Sequence, residues 1–578
     1  MKGPGDYFQT EVWGGVFRTR NWLVLAFGAA AILLGLWGFY DCTNANCRTG
    51  SFPEKLIRTL DLIRLSTHYT PEHDPWPLVL AQLMMPFALI LGAMRLFFHN
   101  MHRDLKVVLI RRMKGHVIVC GLGDTGRQIA EHLIDAGHKV VAISKTNQDL
   151  NALACEHKGV VVLQGDGMEA ALFRIAGLDR AAVLFICCGA DATNIEIALR
   201  VDAAIRKRAE AEPLKIQVEL RDEWLYDQIL SHRKRVNTSG DAQVRLFNLN
   251  ANAARLLLRS EGFARAARTQ RERPHLLAIG QSQTLREIVV QLAQCNFALP
   301  DCRLGVTLAA KNAQAVLDGM LNKYPGLADC VDFSLQNCDF GEDVAWPEIQ
   351  AVVAAKPPFA VIADLGEETL SMKVALRIRA LLDVAGATEV PLYMRAWKQY
   401  QLSAFMQGLE RADSQPDRLA LFGDLKSLTG PAQLLDQSID ILASAAHEVY
   451  RASTKDAAGQ PLPEWNALSE QTKESNRAFA DHIPVKLAAL GLGLAKSGVV
   501  ASMSEADIET LAKIEHWRWA LALKIRGWRQ GERNALRKTH PLLKSWDALE
   551  QKDQDLNRAM VRRIPAIVHA AKLELVVK

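Results

Sequence analysis

The chain has 578 residues, of which 49% are hydrophobic and 23% charged, and its 69 Lys and Arg nearly balance its 64 Asp and Glu. The resulting net charge of +5 excludes a protein built mainly to bind nucleic acid, which needs a strongly basic surface. The ten cysteines show no metal-ligand spacing, which excludes the common structural zinc modules.

Two apolar segments near the N-terminus predict a transmembrane hairpin over residues 1–105. Trp22–Tyr40 contains no charged residue, and Trp76–Phe98 contains only Arg95. Each is long enough to cross the hydrocarbon core of a bilayer, and each has aromatic residues at its ends, as expected at a membrane interface. A cleaved signal peptide fits poorly because the first segment is long and a second one follows. The lipid bilayer is therefore an expected partner.

The flanks of the two segments are more basic than the loop between them. Lysine and arginine concentrate on the cytoplasmic side of membrane proteins, so we expect a two-span inner-membrane protein with both termini in the cytoplasm. In the loop, a disulfide between Cys42 and Cys47 is a hypothesis. The amphipathic segment 53–65 has two open interpretations, a re-entrant pore helix or a helix on the outer surface. The loop has no TVGYG-like potassium filter.

Residues 106–265 alternate between apolar strand patterns and helical patterns, which predicts a doubly wound parallel sheet. A strand ending at Cys120 is followed by Gly121, Gly123 and Gly126 in G-x-G-x-x-G spacing and then by an amphipathic helix. In this context the glycines allow a tight turn, a close phosphate and close helix packing, in that order. The predicted nucleotide site comprises Gly121, Gly123, Asp124, Thr125, Gly126, Ser144, Lys145 and Asp166.

This segment resembles the RCK family, the regulators of potassium conductance and transport, also known as TrkA-N-like domains. Further marks of the resemblance are Gly165-Asp166 after the third strand and Asp191-x2-Asn194 after the fourth. It implies NAD(H), NADP(H) or another adenine nucleotide as cofactor, and pairing of domains into a homodimer or tetramer. The sequence departs from the family at the end of the second strand, where Ser144-Lys145 replaces the usual ribose-binding acid. A phosphate-rich ligand and a vestigial pocket both stay open.

A second, degenerate Rossmann-like domain is predicted over residues 272–440. Its first turn reads Gly280-Gln-Ser282-Gln-Thr-Leu285. Leu285 stands where a small residue is needed for phosphate binding, so we expect this domain to be mainly structural.

A long self-repeat fills residues 441–578. The pattern Trp465-x2-Leu468-x7-Asn476-Arg477-Ala478-x4-Ile483-Pro484 recurs 81 positions later, beginning at Trp546. Such identical spacing indicates one supersecondary unit used twice. The second copy carries additional residues, including Glu515-His516-Trp517-Arg518-Trp519, Gly527-Trp528 and His540-Pro541.

This pattern resembles the RyR domain, the repeat named after ryanodine receptors. The resemblance implies an all-α accessory domain of two repeats with a sensing or interaction role. Arginines beside aromatic faces suit a ligand with a base and a phosphate, and a helical aromatic core is the alternative. The predicted ligand-binding residues are His516, Arg518, Trp519, Trp528, His540 and Trp546.

No catalytic set is evident, since GxSxG, HExxH and a Walker lysine are absent from the sequence. We therefore expect a non-enzymatic, ligand-regulated membrane protein, channel-like or membrane-perturbing, that senses a nucleotide-like molecule. Two alternatives stay open. One is a non-conducting, membrane-tethered regulator of ion transport; the other is a membrane-bound NAD(P)-dependent oxidoreductase.

Overall fold

The computed structural model describes residues 21–42, 50–64, 74–146, 150–205, 213–222, 225, 242–260, 262–263, 274–295, 303–341, 346–397, 418–435, 440–454, 459–468 and 470–577. The chain divides into two compact units, Met1–Arg112 and Met113–Lys578. Each unit is described by itself.

The described residues of the first unit include three α-helices, α1 (Asn21–Asp41), α2 (Phe52–Asp61) and α3 (Trp76–Arg111). Helix α1 lies close against its neighbours at its glycines. A Cβ atom added to Gly38 would come within 2.7 Å of Leu78, and one added to Gly35 would come within 2.4 Å of Thr59. Small residues allow helix backbones this close approach.

Among the described residues, one helix segment, Trp76–Met94, has the length and apolar composition of a membrane span. The first predicted span is also helical, but its described apolar run, Ala26–Asp41, is shorter than that. The amphipathic loop segment is helical, as α2. Cys42 is disulfide-bonded, whereas Cys47 and the basic residues before position 21 lie outside the described residues.

The second unit begins with a six-stranded parallel sheet in the order β3-β2-β1-β4-β5-β6. Its strands are fully or mostly buried because helices cover both faces. The strands are β1 (Val117–Cys120), β2 (Val140–Ser144), β3 (Val161–Gln164), β4 (Val183–Ile186), β5 (Leu214–Glu219) and β6 (Ala242–Phe247). The helices are α4 (Asp124–Asp135), α5 (Leu150–His157), α6 (Ala170–Ile175), α7 (Asp191–Ala204) and α8 (Leu249–Arg259).

A second six-stranded parallel sheet repeats the same strand order. The predicted tandem of Rossmann-like domains is therefore confirmed at the level of the fold. Its strands are β7 (His275–Gly280), β8 (Leu304–Ala310), β9 (Val331–Asn337), β10 (Ala360–Asp364), β11 (Leu392–Arg395) and β12 (Leu419–Phe422). The helices are α9 (Gln283–Cys295), α10 (Ala313–Lys323), α11 (Pro347–Ala355), α12 (Glu368–Val384), α13 (Leu425–Leu428) and α14 (Pro431–Leu434).

The helices that follow the sixth strands pack across the boundary between the two Rossmann-like domains, and α8 contributes to the cores of both. Ala254 and Leu257 of α8 lie in the core of the second domain. In return, Leu425, Leu428 and Leu434 of α13 and α14 lie in the core of the first. Core packing thus crosses the sequence boundaries expected at 265 and 440, because an exposed apolar helix face is buried wherever a complementary face lies.

The C-terminal residues form two copies of one unit, and they correct the expectation of an all-α domain. The first copy contains α15 (Ile441–Ser453), α16 (Glu470–Asp481), α17 (Ile483–Ala489) and β13 (Leu492–Ala495). The second contains α18 (Glu505–Ile525), β14 (Arg529–Gln530), β15 (Thr539–His540), α19 (Gln551–Arg562), α20 (Ile564–Ala570) and β16 (Glu574–Val577). Strands β13 and β16 pair antiparallel and so join the two copies.

The repeated histidine and tryptophan make the same contacts in both copies. His447 Nε2 lies 2.8 Å from the carbonyl oxygen of Pro463, and His516 Nε2 lies 2.8 Å from that of Lys544. Each carbonyl comes two residues before the repeated tryptophan, and each histidine ring lies about 6 Å from that indole, at 6.2 Å for Trp465 and 6.0 Å for Trp546. The motif therefore ties a loop to a helix, which is a structural role.

Candidate functional site

The glycine turn after β1 leaves one open position at the N-terminus of α4. Gly121 has φ of +95°, and a Cβ atom on it would lie 2.5 Å from the carbonyl oxygen of Cys187. A Cβ atom on Gly126 would lie 1.8 Å from the carbonyl oxygen of Gly121. At Gly123, by contrast, no atom lies within 4 Å of the added Cβ. The turn therefore provides open space beside the backbone N–H groups of a helix N-terminus, where anions bind favourably.

The ends of β2 and β3 bring two further predicted residues together. Lys145 Nζ lies 3.0 Å from Asp166 Oδ2, and the backbone N–H of Met168 donates to Asp166 Oδ1 at 3.0 Å. These contacts lower the pKa of Asp166, with the backbone bond the larger cause, and the same pair raises the pKa of Lys145. Both side chains are partly or largely exposed, so a ligand can reach either charge.

The remaining predicted residues of this site have different surroundings. Asp124 is exposed at the first position of α4, and Thr125 is buried. The Ser144 hydroxyl donates to the carbonyl oxygen of Thr146 at 3.2 Å. The Ser144 hydroxyl is thus used in a local hydrogen bond, and Ser144 has no carboxylate with which to bind a ribose.

Glu219, which the sequence argument missed, lies buried at the end of β5. The Thr125 hydroxyl donates to Glu219 Oε1 at 3.2 Å and Arg221 Nε donates to it at 3.1 Å, while Oε2 has no hydrogen-bond partner among the described residues. Burial raises the pKa of this carboxyl group, and its two partners oppose the rise. A carboxylate at the carboxyl edge of the sheet, two strands from the glycine turn, belongs to the region where such folds bind ligands. The sequence has no local motif around Glu219, and its place near the glycine turn follows only from the order of the strands in the sheet.

The corresponding turn of the second domain is filled by protein groups. Ser282 Oγ donates to Asp364 Oδ2 at 2.5 Å, and Arg395 Nη1 lies 3.3 Å from the same oxygen. Leu285 is buried to 1% exposure in the core. These contacts are in keeping with the structural role expected of this domain.

Four of the six ligand-binding residues predicted in the second C-terminal copy form an aromatic cluster. Trp519 and His540 stack edge to face with ring centroids 5.0 Å apart, and His516 lies 6.0 Å from both Trp519 and Trp546. The short pair β14–β15 places His540 there. Trp528 is half-buried, and its backbone N–H donates to the carbonyl oxygen of Leu523.

Arg518 does not join the aromatic cluster. Its guanidinium group belongs to a buried triad of charged side chains with Glu515 and Lys486. Its Nε and Nη2 donate to Glu515 at 3.0 and 2.8 Å, and Lys486 Nζ lies 2.7 Å from Glu515 Oε2. Lys486 is completely buried and Glu515 is 1% exposed. Burial alone would raise the pKa of Glu515, but the two cations outweigh it and lower the pKa to about 2. The triad links α17 of the first copy to α18 of the second.

A cavity of about 180 Å³ lies where both Rossmann-like domains meet the C-terminal repeats. Arg255 and Arg477 both donate to Asp440, at 3.1 and 2.8 Å, and Arg255 also donates to Asp481 at 2.7 Å. Burial opposes ionisation of Asp440, but these arginines lower its pKa to about 2. The network links α8 to Asp440 and to α16 of the first C-terminal copy. No group of three or more metal-ligating side chains was found among the described residues.

Two family matches cover separate parts of the chain. Residues 117–222 match the TrkA-N domain, and residues 499–575 match the RyR domain. An uncharacterized protein of Methanothermus fervidus is 29% identical over 118 residues, which make up 20% of this chain and 19% of that protein. The chain thus aligns with about a fifth of the length of this curated relative.

Solved structures with low similarity include those described as the GsuK channel, GsuK bound to ADP and GsuK bound to NAD. The first two are 15% and 14% identical, cover 72% of this chain and 97% of theirs, and have TM-scores of 0.38. The NAD complex is 12% identical, covers 73% of this chain and 84% of its own, and has a TM-score of 0.36.

Proposed function

We propose that this chain is a ligand-regulated membrane protein whose first Rossmann-like domain binds an adenine nucleotide or a similar phosphorylated molecule. The observation that carries the proposal is the glycine turn, closed by backbone at Gly121 and Gly126 but open at Gly123. The TrkA-N match over residues 117–222 supports it. The role is regulatory and not enzymatic.

The ligand's phosphate would lie over Gly123 at the N-terminus of α4. Lys145 and Asp166 flank the expected ribose position with one charge of each sign. Lys145 would attract a further phosphate. Asp166 would accept a hydrogen bond from a ribose hydroxyl, the role of the acid that is missing at the end of the second strand. Ligand binding would shift the domain contacts around Asp440, and so the arrangement of the regulatory domains.

We expect Gly123→Val to abolish binding of ADP while leaving the fold intact. Valine is free of strain there because Gly123 has φ of −63° and no atom within 4 Å of its Cβ position, but its side chain would fill the phosphate space. Isothermal titration against ADP measures the loss, which should be at least a hundredfold. Gly137→Asn is the matched control, since Gly137 has open space and a left-handed φ of +86° that asparagine tolerates. Unchanged ADP affinity in Gly123→Val would show the pocket to be vestigial.

The first unit would anchor these domains in a bilayer. Large apolar side chains on α3 face outward, with Leu83 61% exposed and Phe87 62% exposed, which water disfavours but lipid accepts. The close approach of α1 at Gly35 and Gly38 fits helix packing in a membrane. Two spans cannot enclose a pore alone, so a conducting form would be a homo-oligomer, a dimer or a tetramer.

Topology is testable with two introduced cysteines. Leu536 is 97% exposed in the second RyR copy, and Ile57 is 60% exposed on α2. A membrane-impermeant maleimide should label Leu536→Cys only in inverted vesicles and Ile57→Cys only in intact spheroplasts, each compared with the unmodified chain. Labelling of Leu536→Cys in intact spheroplasts would overturn the cytoplasmic location of the C-terminus. Recovery of the protein in the soluble fraction would overturn the membrane anchor.

A further inference from the structure

Two cysteine thiols meet beneath the glycine turn. Cys120 ends β1 and Cys188 follows β4, the neighbouring strand. Their Sγ atoms lie 3.7 Å apart, and Cys188 Sγ also lies 3.5 Å from the carbonyl oxygen of Cys120. Both thiols are free. The pair stands at the point where the strand order reverses, the region in which ligands bind to such sheets.

The two thiols differ in access and acidity. Cys120 is 1% exposed, whereas Cys188 is partly exposed. The hydrogen bond between the thiols lowers the pKa of Cys188, and Lys145 adds to this, while burial, Asp166 and Glu219 act against it. The same bond, together with burial, raises the pKa of Cys120. Cys188 is therefore the thiol that ionises more readily and that an oxidant can reach.

We propose that Cys120 and Cys188 are a redox-active pair that forms a reversible disulfide on exposure to a hydroperoxide. The Cys188 thiolate attacks one oxygen of hydrogen peroxide and the O–O bond breaks. Cys188 becomes a sulfenic acid, and the departing hydroxide takes up a proton as water. The sulfur of Cys120 then attacks Cys188 Sγ, the S–O bond breaks, and the hydroxide leaves with the Cys120 proton as a second water. Two thiols thus reduce one peroxide to two waters.

The geometry permits the bond with a local movement. The sulfur atoms must approach from 3.7 Å to about 2.05 Å. Cys120 is held in the buried strand β1, whereas Cys188 is on the bend after β4, so Cys188 supplies the movement. A dithiol reductant would restore both thiols by thiol–disulfide exchange. Such reversibility is expected of a regulatory disulfide and not of a structural one.

The disulfide would bear on the nucleotide turn, an effect that rests on the function proposed above. A Cβ atom on Gly121 would lie 2.9 Å from Cys188 Cα, so the turn and the bend after β4 are already in contact. The amide of Asn194 also holds this bend, since the Cys188 N–H donates to Asn194 Oδ1 at 2.8 Å. Moving Cys188 toward Cys120 would shift the backbone after β4, which contacts the glycine turn next to the expected phosphate position. Oxidised protein should therefore bind ADP at least tenfold more weakly.

The pair can be tested on the purified full-length protein. After treatment with hydrogen peroxide and alkylation, mass spectrometry of the unreduced digest should show one cross-linked peptide joining Cys120 to Cys188, two hydrogens lighter than the separate peptides. Dithiothreitol should reverse it. Cys188→Ser and Cys120→Ser should each abolish the cross-link, while Cys338→Ser, which changes a buried thiol elsewhere, should not. A cross-link to Cys187 instead, or oxidation of Cys188 to sulfinic acid without any cross-link, would overturn the proposal.

Titration of ADP against the reduced and oxidised forms separates this proposal from the proposed function. A cross-link with weaker ADP binding supports both. A cross-link in a protein that never binds ADP supports the redox pair and refutes the nucleotide site. ADP binding without any cross-link after peroxide does the reverse.

Discussion

Glu515→Ala should destabilise the C-terminal domain by about 3–5 kcal/mol, because it removes the buried carboxylate that Lys486 and Arg518 both contact. Lys486 is completely buried, and Arg518 is 7% exposed. The measurement is the chemical unfolding of the full chain followed by tryptophan fluorescence, to which this domain contributes five of the 12 tryptophans, Trp465, Trp517, Trp519, Trp528 and Trp546.

Two further variants make the test specific. The double variant Glu515→Leu with Lys486→Met should recover part of the loss, since one of the two buried cations is then removed together with the carboxylate. Glu509→Ala is the matched control, because Glu509 holds the repeated arginine Arg558 but is 37% exposed. It should cost no more than about 1 kcal/mol. Equal losses from Glu515→Ala and Glu509→Ala would contradict the importance of burial.

Gly126→Ala should prevent the first Rossmann-like domain from folding normally, with a cost above about 3 kcal/mol, the upper range for overpacking. The new methyl group would lie 1.8 Å from the carbonyl oxygen of Gly121, and a backbone atom cannot rotate away as a side chain can. Thermal unfolding and protection of the amides of β1 from hydrogen exchange would report the loss.

Gly123→Ala, three residues earlier in the same turn, is the control. Its methyl group would have no atom within 4 Å, so stability should change by less than about 1 kcal/mol. The two substitutions add the same atom to the same turn. A similar loss in both would mean that the backbone clash at Gly126 does not determine the stability of the turn.

Several features could be predicted because short-range patterns in the sequence encode them. Strand alternation with helices gave the two parallel sheets, since a strand buried on both faces must be apolar along its length. The spacing Gly121, Gly123 and Gly126 predicted the turn, since the first and last glycines have no room for a Cβ atom and Gly123 leaves space for a ligand. The duplicated Trp, Asn, Arg and Pro positions predicted the two C-terminal copies of one unit, because equal spacing indicates equal local structure.

The C-terminal strand pair and the destination of Arg518 could not be predicted in this way. Arg518 lies one residue from Trp519, which suggested a shared ligand pocket. On a helix, the side chains of adjacent residues point in directions about 100° apart. Which groups each side chain contacts depends on the elements that pack against that face of the helix. Arg518 pairs with Glu515, which also pairs with the buried Lys486, whereas Trp519 packs against His540.

The sequence by itself determined the order of the elements, the open position at Gly123 and the use of one unit twice, since all of these follow from residues close together in the chain. Only the tertiary structure decided which distant groups meet. Cys120 and Cys188 are 68 positions apart and come together because β1 and β4 are neighbours in the sheet. Arg255 reaches Asp481 across 226 positions, because α8 packs against the cores of both Rossmann-like domains and also contacts the C-terminal repeat. Such contacts depend on the whole fold and on no local pattern.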